Sequence, residues 1–269
     1  MLTVLAGWLL ATHPEHWSGW AMLAMLAAQA LSSYALRRPF AGGVHVTAWA
    51  YYAAGMNVIY PALGVAVPLL RTDRFDVALY NADLWLLGDN ASHFVEPLTQ
   101  PWLTDLLSGA YMFFMFMLLC ALVLPLTMYR EHLRAFFGGL FTVYGVGFLG
   151  YLLVPAEGPH LAFPERFELS LDGTILANLN HDMVVSGSNH VDVFPSLHVA
   201  VSTYVLGYLL RHTRRAGWIM LPQVLLLCFS TIYLRYHYLV DIIAGFGLAL
   251  FALAISRFLE NHPEGRESP

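Results

Sequence analysis

The chain has 269 residues, 58% hydrophobic and 12% charged, against roughly 45–50% and about 25% in soluble domains. Such a composition, with a mean hydropathy of +0.59, excludes a water-soluble fold of this length and leaves a membrane protein. All 13 basic residues are arginine and are outnumbered by 18 acidic ones, for a net charge of −5, which gives nucleic acid no broad basic surface to bind.

In chain order, residues 1–11 are apolar, lack a basic leader and run into His13-Pro14-Glu15-His16. That pattern argues against a cleavable signal peptide and for a short membrane-dipping start. Apolar runs near bilayer length lie at about 17–36, 44–70, 103–129, 135–154, 194–210, 217–234 and 236–257, predicting about seven spans. Residues 71–102 are mixed, with Arg71, Asp73, Arg74, Asp76, Asp83 and Asp89 around Leu84-Trp85-Leu86-Leu87. This stretch is too polar to span and reads as amphipathic and interfacial. Within it, Asn90-Ala91-Ser92 has the form of a glycosylation acceptor. Pro155 to Asp192 is the longest polar segment; Gly158-Pro159, Asp172-Gly173 and Ser186-Gly187-Ser188 are turn signals and predict a loop. Cys120 and Cys228 both lie in apolar runs with no paired spacing, so neither a disulfide framework nor a thiolate metal site is indicated.

The expected architecture is an all-α integral membrane bundle, a six-helix core plus an N-terminal helix. It divides into N-terminal helices and an interfacial segment (1–100), a catalytic membrane domain (101–257, active-site loop 155–193) and a polar tail (258–269). If the second, fourth and sixth spans run outward, nine arginines (Arg37, Arg38, Arg130, Arg134, Arg211, Arg214, Arg215, Arg257, Arg266) face the cytoplasm and four (Arg71, Arg74, Arg166, Arg235) do not. The positive-inside rule then puts the 155–192 loop on the extracytoplasmic side, periplasmic or lumenal.

Two span starts break the rule that ionisable residues avoid the membrane: Phe194-Pro195-Ser196-Leu197-His198 and Arg235-Tyr236-His237-Tyr238-Leu239-Val240-Asp241. His237 and Asp241, four apart, share a helix face, so the carboxylate can fix the ring's tautomer and leave Nε2 as a nucleophile or base. A polar clamp between helices explains the same pair equally well. Pro195 suits a helix's first turn, whose free N–H groups, with the Ser196 hydroxyl, could cradle an anion. His198, a turn further on, could protonate a leaving oxygen. Arg235 offers positive charge for phosphate oxygens, although an interfacial arginine extending to the headgroups needs no such role.

These two motifs resemble those of the type-2 phosphatidic acid phosphatase superfamily, most closely its inositol phosphorylceramide synthase and sphingomyelin synthase-like branch. Pro195, Ser196 and His198 match the second motif with Leu197 in place of Gly; Ser230, His237 and Asp241 match the third, with Thr231 at the arginine position. The first motif is replaced by Val154-Pro155-Ala156-Glu157-Gly158-Pro159-His160, which looks like the branch's Gly-Pro-Arg turn with His160 for Arg. The resemblance covers about residues 100–257. It implies that His237 attacks phosphorus, Asp241 orients it and His198 protonates the departing alcohol. Ser196, Pro195, His160 and Arg235 are then the phosphate contacts. It also implies no metal and that water or another alcohol resolves the intermediate; the leading expectation is hydrolysis, without a cofactor, of a lipid phosphate or phospholipid in the bilayer.

Two other functions fit the same residues: a headgroup phosphotransferase with ceramide or diacylglycerol as acceptor, and a proton-coupled transporter using the His/Asp cluster. A CDP-alcohol transferase lacks its Asp-rich metal motif here. His45, His93 and His132 read as polar boundary residues. His181, Asp182, His190 and Asp192 are candidates for the substrate entrance, with Asp192 alternatively the N-cap of the following helix. A metal site of His181, His190 and nearby carboxylates has no tight spacing behind it. Tyr111, Phe113, Phe114 and Phe116 read as packing residues.

Overall fold

The structure, a computed structural model, describes residues 2–36, 43–128 and 133–262. The described residues are helical or irregular, with no strand, so the all-α expectation holds. Two N-terminal helices, α1 (Leu2–Thr12) and α2 (Trp17–Leu36), pack together, and α2 packs on α3 (Gly43–Leu70). The chain then lies across one end of the bundle as α4 (Asp76–Leu87) and α5 (Ala91–Val95) before descending as α6 (Pro101–Met128) and returning as α7 (Leu133–Leu153). After the short α8 (Pro159–Ala162) and α9 (Ile175–Gly187) come α10 (Leu197–His212), α11 (Arg214–Tyr233) and α12 (Leu239–Asn261).

The long helices begin and end within a few residues of the predicted apolar runs, because twenty-odd apolar residues without a break satisfy their backbone only as helix. Among the described residues, four helical segments are long and apolar enough to cross a bilayer: Pro101–Leu119, Leu133–Leu153, Arg214–Tyr233 and Leu239–Asn261. The main core lies where α3, α7, α10 and α12 meet, around Leu63, Leu140, Val143, Val201, Tyr204 and Ala249. Tyr204, fully buried, donates its hydroxyl to the Phe136 carbonyl at 2.7 Å, so its polar end is satisfied within that core. Gly245 lets α12 meet the start of α10, since a Cβ there would stand 2.7 Å from the Ser196 carbonyl oxygen.

Two expectations are corrected. The 155–192 segment is not merely a loop: a 13-residue helix, α9, follows the Asp172-Gly173 turn. Its start is fixed from α6 by Asp105, whose carboxylate accepts from the Thr174 and Ala177 N–H groups at 2.9–3.0 Å. Asn90 cannot serve as a glycosylation acceptor in this fold, because it is fully buried, caps α5 by accepting from Ser92 N–H at 3.0 Å, and donates to Asp83. Arg37, Arg38, Arg130, Arg266 and His132, as well as the side chains of His45 and Cys120, lie outside the described residues.

Candidate active site

α4, read from the sequence as an interfacial stretch, is the scaffold of the site. Asp76 and Asp83 are seven residues apart, two turns on one face, and both are buried. Asp83 accepts from the Leu239 and Val240 N–H groups at 2.9 and 3.1 Å, capping α12 across 156 residues of sequence. Burial pushes its carboxyl above the ordinary range, opposed by those backbone donors. Asp76 accepts from the Glu157 and Gly158 N–H groups and from the Tyr238 hydroxyl, the last at 2.9 Å. One helix thus fastens both the 155–160 turn and the segment carrying His237.

His237 stands just ahead of α12, 3% exposed. Its Nδ1 lies 3.5 Å from Asp241 Oδ2, and that oxygen also accepts the Tyr238 N–H at 2.9 Å. Burial holds the imidazole down at about 4, with the nearby Asp192 carboxylate pulling the other way. His198, in the first turn of α10, faces it: the ring centroids are 5.7 Å apart at 62°. Tyr111 stacks on His198 at 4.6 Å and Phe114 packs on it at 4.4 Å, so two α6 aromatics fix its plane. The ends of α10 and α12 are tied by the Ser196 N–H donating to the Asp241 carbonyl at 3.2 Å.

Both rings line a cavity of about 630 Å³, bounded by Tyr111, Met115 and Leu119 of α6, Tyr144, Phe148 and Tyr151 of α7, Asn57 and Tyr60 of α3, and Met183 and Val184 of α9. Most of its wall is apolar or aromatic, as suits a lipid. His160 also lines it, its ring against Tyr236 and its Nδ1 3.2 Å from the Arg235 carbonyl oxygen; burial holds it at about 4. The turn before it needs Gly158, at φ +88°, where a Cβ would meet the Tyr236 carbonyl oxygen at 2.4 Å.

The remaining sequence candidates lie elsewhere. Ser196 is fully buried and caps α10 by accepting from the Val199 N–H; Pro195 precedes that cap instead of entering the first turn, and neither lines the cavity. Arg235, at φ +63°, turns its guanidinium away, 3.1 Å from Glu96 Oε1, 2.7 Å from the Leu169 carbonyl oxygen and 4.2 Å over the Phe167 ring. Burial lowers its pKa, opposed by Glu96. Its side chain therefore braces the loop, and its backbone carbonyl accepts the His160 N–H. His181, Asp182 and His190 do not line the cavity, whereas Asp192 does. Since Ser196 is the N-cap, Asp192 is free of that task and accepts from Tyr60 and, at 3.1 Å, Ser188 hydroxyls. His93 pairs with Asp89 at 2.8 Å, as befits a polar boundary residue.

Sequence reasoning missed the roles of Asp76, Asp83, Tyr60, Tyr111 and Phe114; only the seven-residue spacing of the two aspartates offered a local signal. In comparisons with known proteins, a family model described as the PAP2 superfamily matches residues 77–255. No curated protein and no solved structure compared with the chain matches it. From α4 through most of α12, with both histidines and Asp241 inside the matched region, this chain belongs to the PAP2 superfamily.

Proposed function

We propose that the chain is a lipid phosphoesterase that hydrolyses a lipid phosphate ester through a phosphohistidine on His237. The observation that carries this reading is the convergence of the His198 and His237 rings, 5.7 Å apart, at the polar end of a cavity with apolar walls. In the first step His237 Nε2 forms a bond to phosphorus, the bond from phosphorus to the lipid oxygen breaks, and His198 gives that oxygen a proton. In the second, water bonds to phosphorus, the N–P bond breaks, and the water's proton returns to His198. In this reading Asp241, whose Oδ2 lies 3.5 Å from Nδ1, is the group that orients the ring during turnover. In this reading residues 101–257 form the catalytic domain and no metal takes part. The arginine asymmetry supports an opening on the extracytoplasmic side.

Family membership supports phosphoester chemistry in general, and the size of the cavity favours one further reading, transfer to a lipid alcohol. Release of free phosphate compound without added ceramide or diacylglycerol decides for hydrolysis. A transporter is disfavoured because the histidines sit at helix starts at one end of the bundle, away from the middle where transport sites lie. The test is His237→Ala and His237→Gln assayed on lipids labelled at phosphorus. Both variants should lose turnover and the acid-labile label on the protein, and a fully active variant ends the proposal.

A further inference from the structure

The cavity's charge is unusual for a site that must hold phosphate. Among its described lining residues there is no arginine, and the chain has no lysine; besides five tyrosine hydroxyls, the ionisable groups are three imidazoles and the carboxylates of Glu157 and Asp192. The arginine nearest His237 in sequence is committed to Glu96 and the Leu169 carbonyl. Glu157 has a partner in Arg74, 3.2 Å away. Among the described residues, the partners of Asp192 are hydroxyls, those of Tyr60 and Ser188, and its field reaches His237. His160 and His237, held at about 4 by burial, are neutral near pH 7. A phosphomonoester would bring about −2 into this chamber, where, among the described lining residues, the single proton that His198 carries in the phosphoesterase reading is set against it and the Asp192 carboxylate adds to its charge. A phosphodiester brings one negative charge, and one with an ammonium headgroup brings none in sum. The ammonium would also find Asp192 among the rings of Tyr60, Tyr111 and Tyr151.

Building on the phosphoesterase reading, we propose that this cavity selects its lipid by headgroup charge, preferring zwitterionic phosphodiesters to anionic diesters and anionic diesters to phosphomonoesters, with Asp192 as the specificity-determining residue. Tyr60 is the positioning residue for Asp192. It lies in α3, before the family-matched region, so the selectivity comes partly from helices outside that region.

The experiment compares kcat/KM of the full-length chain in mixed micelles for three lipids with identical tails: a phosphatidylcholine, a phosphatidylglycerol and a phosphatidate. The wild type should lose roughly tenfold per added negative charge, the size expected for a unit charge about 10 Å from a carboxylate at an effective dielectric of about 20. Asp192→Asn should bring the three within about threefold, and Tyr60→Phe should shift the ratios the same way by less. Asn57→Lys, on the same α3 wall, adds a cation while leaving Asp192 unsubstituted and should raise phosphatidate relative to phosphatidylcholine. Phosphatidate as the best substrate, or ratios unmoved in folded Asp192→Asn and Asn57→Lys proteins, overturns the inference while leaving the phosphoesterase reading intact. Turnover of none of the three, with no label on His237, overturns both.

Discussion

Replacing Asp83 by Ala tests whether α4 holds His237, the proposed nucleophile, in place. The carboxylate is fully buried and accepts two backbone N–H groups of the first turn of α12 at 2.9 and 3.1 Å, besides the Asn90 amide at 3.3 Å. Hydrogen bonds to a charged acceptor contribute about 1.5–3 kcal/mol each, and a buried donor left without a partner costs about 1–3 kcal/mol. Allowing for relaxation of the turn, Asp83→Ala should destabilise the fold by about 3 kcal/mol. Because burial already disfavours the charged form, Asp83→Asn, which keeps the shape and one acceptor, should cost about 1 kcal/mol. His237 precedes Leu239 by two residues, so the loss should also misplace its ring and lower kcat by on the order of 100-fold. The assay is thermal unfolding in detergent, read beside lipid turnover at a temperature where the variant is still folded. An alanine variant with the wild-type midpoint and turnover would refute the idea that α4 positions the site.

Two further outcomes follow from the same geometry. His237 is held at about 4, below its unfolded value near 6.5, so the neutral form that the proposed mechanism needs should persist on acidification and the acid limb of kcat/KM should fall near pH 4. By linkage, the unfolded chain takes up the proton first, so stability is full above about pH 6.5 and declines as pH falls towards 4, by on the order of 3 kcal/mol from this group; pH-dependent unfolding with a His237→Gln control measures it. If Arg235 braces the loop, Arg235→Ala and Glu96→Gln should both lower kcat several-fold with little change in KM, whereas a direct phosphate contact would raise KM in the first and spare the second.

Much of the fold was readable because a bilayer demands long apolar runs and closes their backbone as helix. The starts of α2, α3, α6 and α7 therefore lie within about two residues of the sequence reading. The closeness of His237 to Asp241 was readable, but not as one helical face: His237 precedes Tyr238, the N-cap of α12, so the two meet across the start of the helix, 3.5 Å apart. The role of Arg235 was not: its charge and position suggest a phosphate contact, but its direction is set by Glu96, 139 residues away in the chain. The α9 helix was hidden for a similar reason. Its turn-rich flanks dominated the local pattern, while the cap that starts it comes from Asp105 on another helix. Tyr111 and Phe114 look like any aromatic stripe until α10 brings His198 against both of them.

The Tyr60–Asp192 contact gives the chamber a composite origin. Its reactive end is built from the segment held in common with other superfamily members, while one side is supplied by a helix that precedes it. Exchanging that forward portion for another hydrophobic hairpin would remodel what the chamber accommodates while the phosphorus chemistry stayed in place, so grafts at residues 1–70 offer a route to altered lipid preference with the histidines untouched.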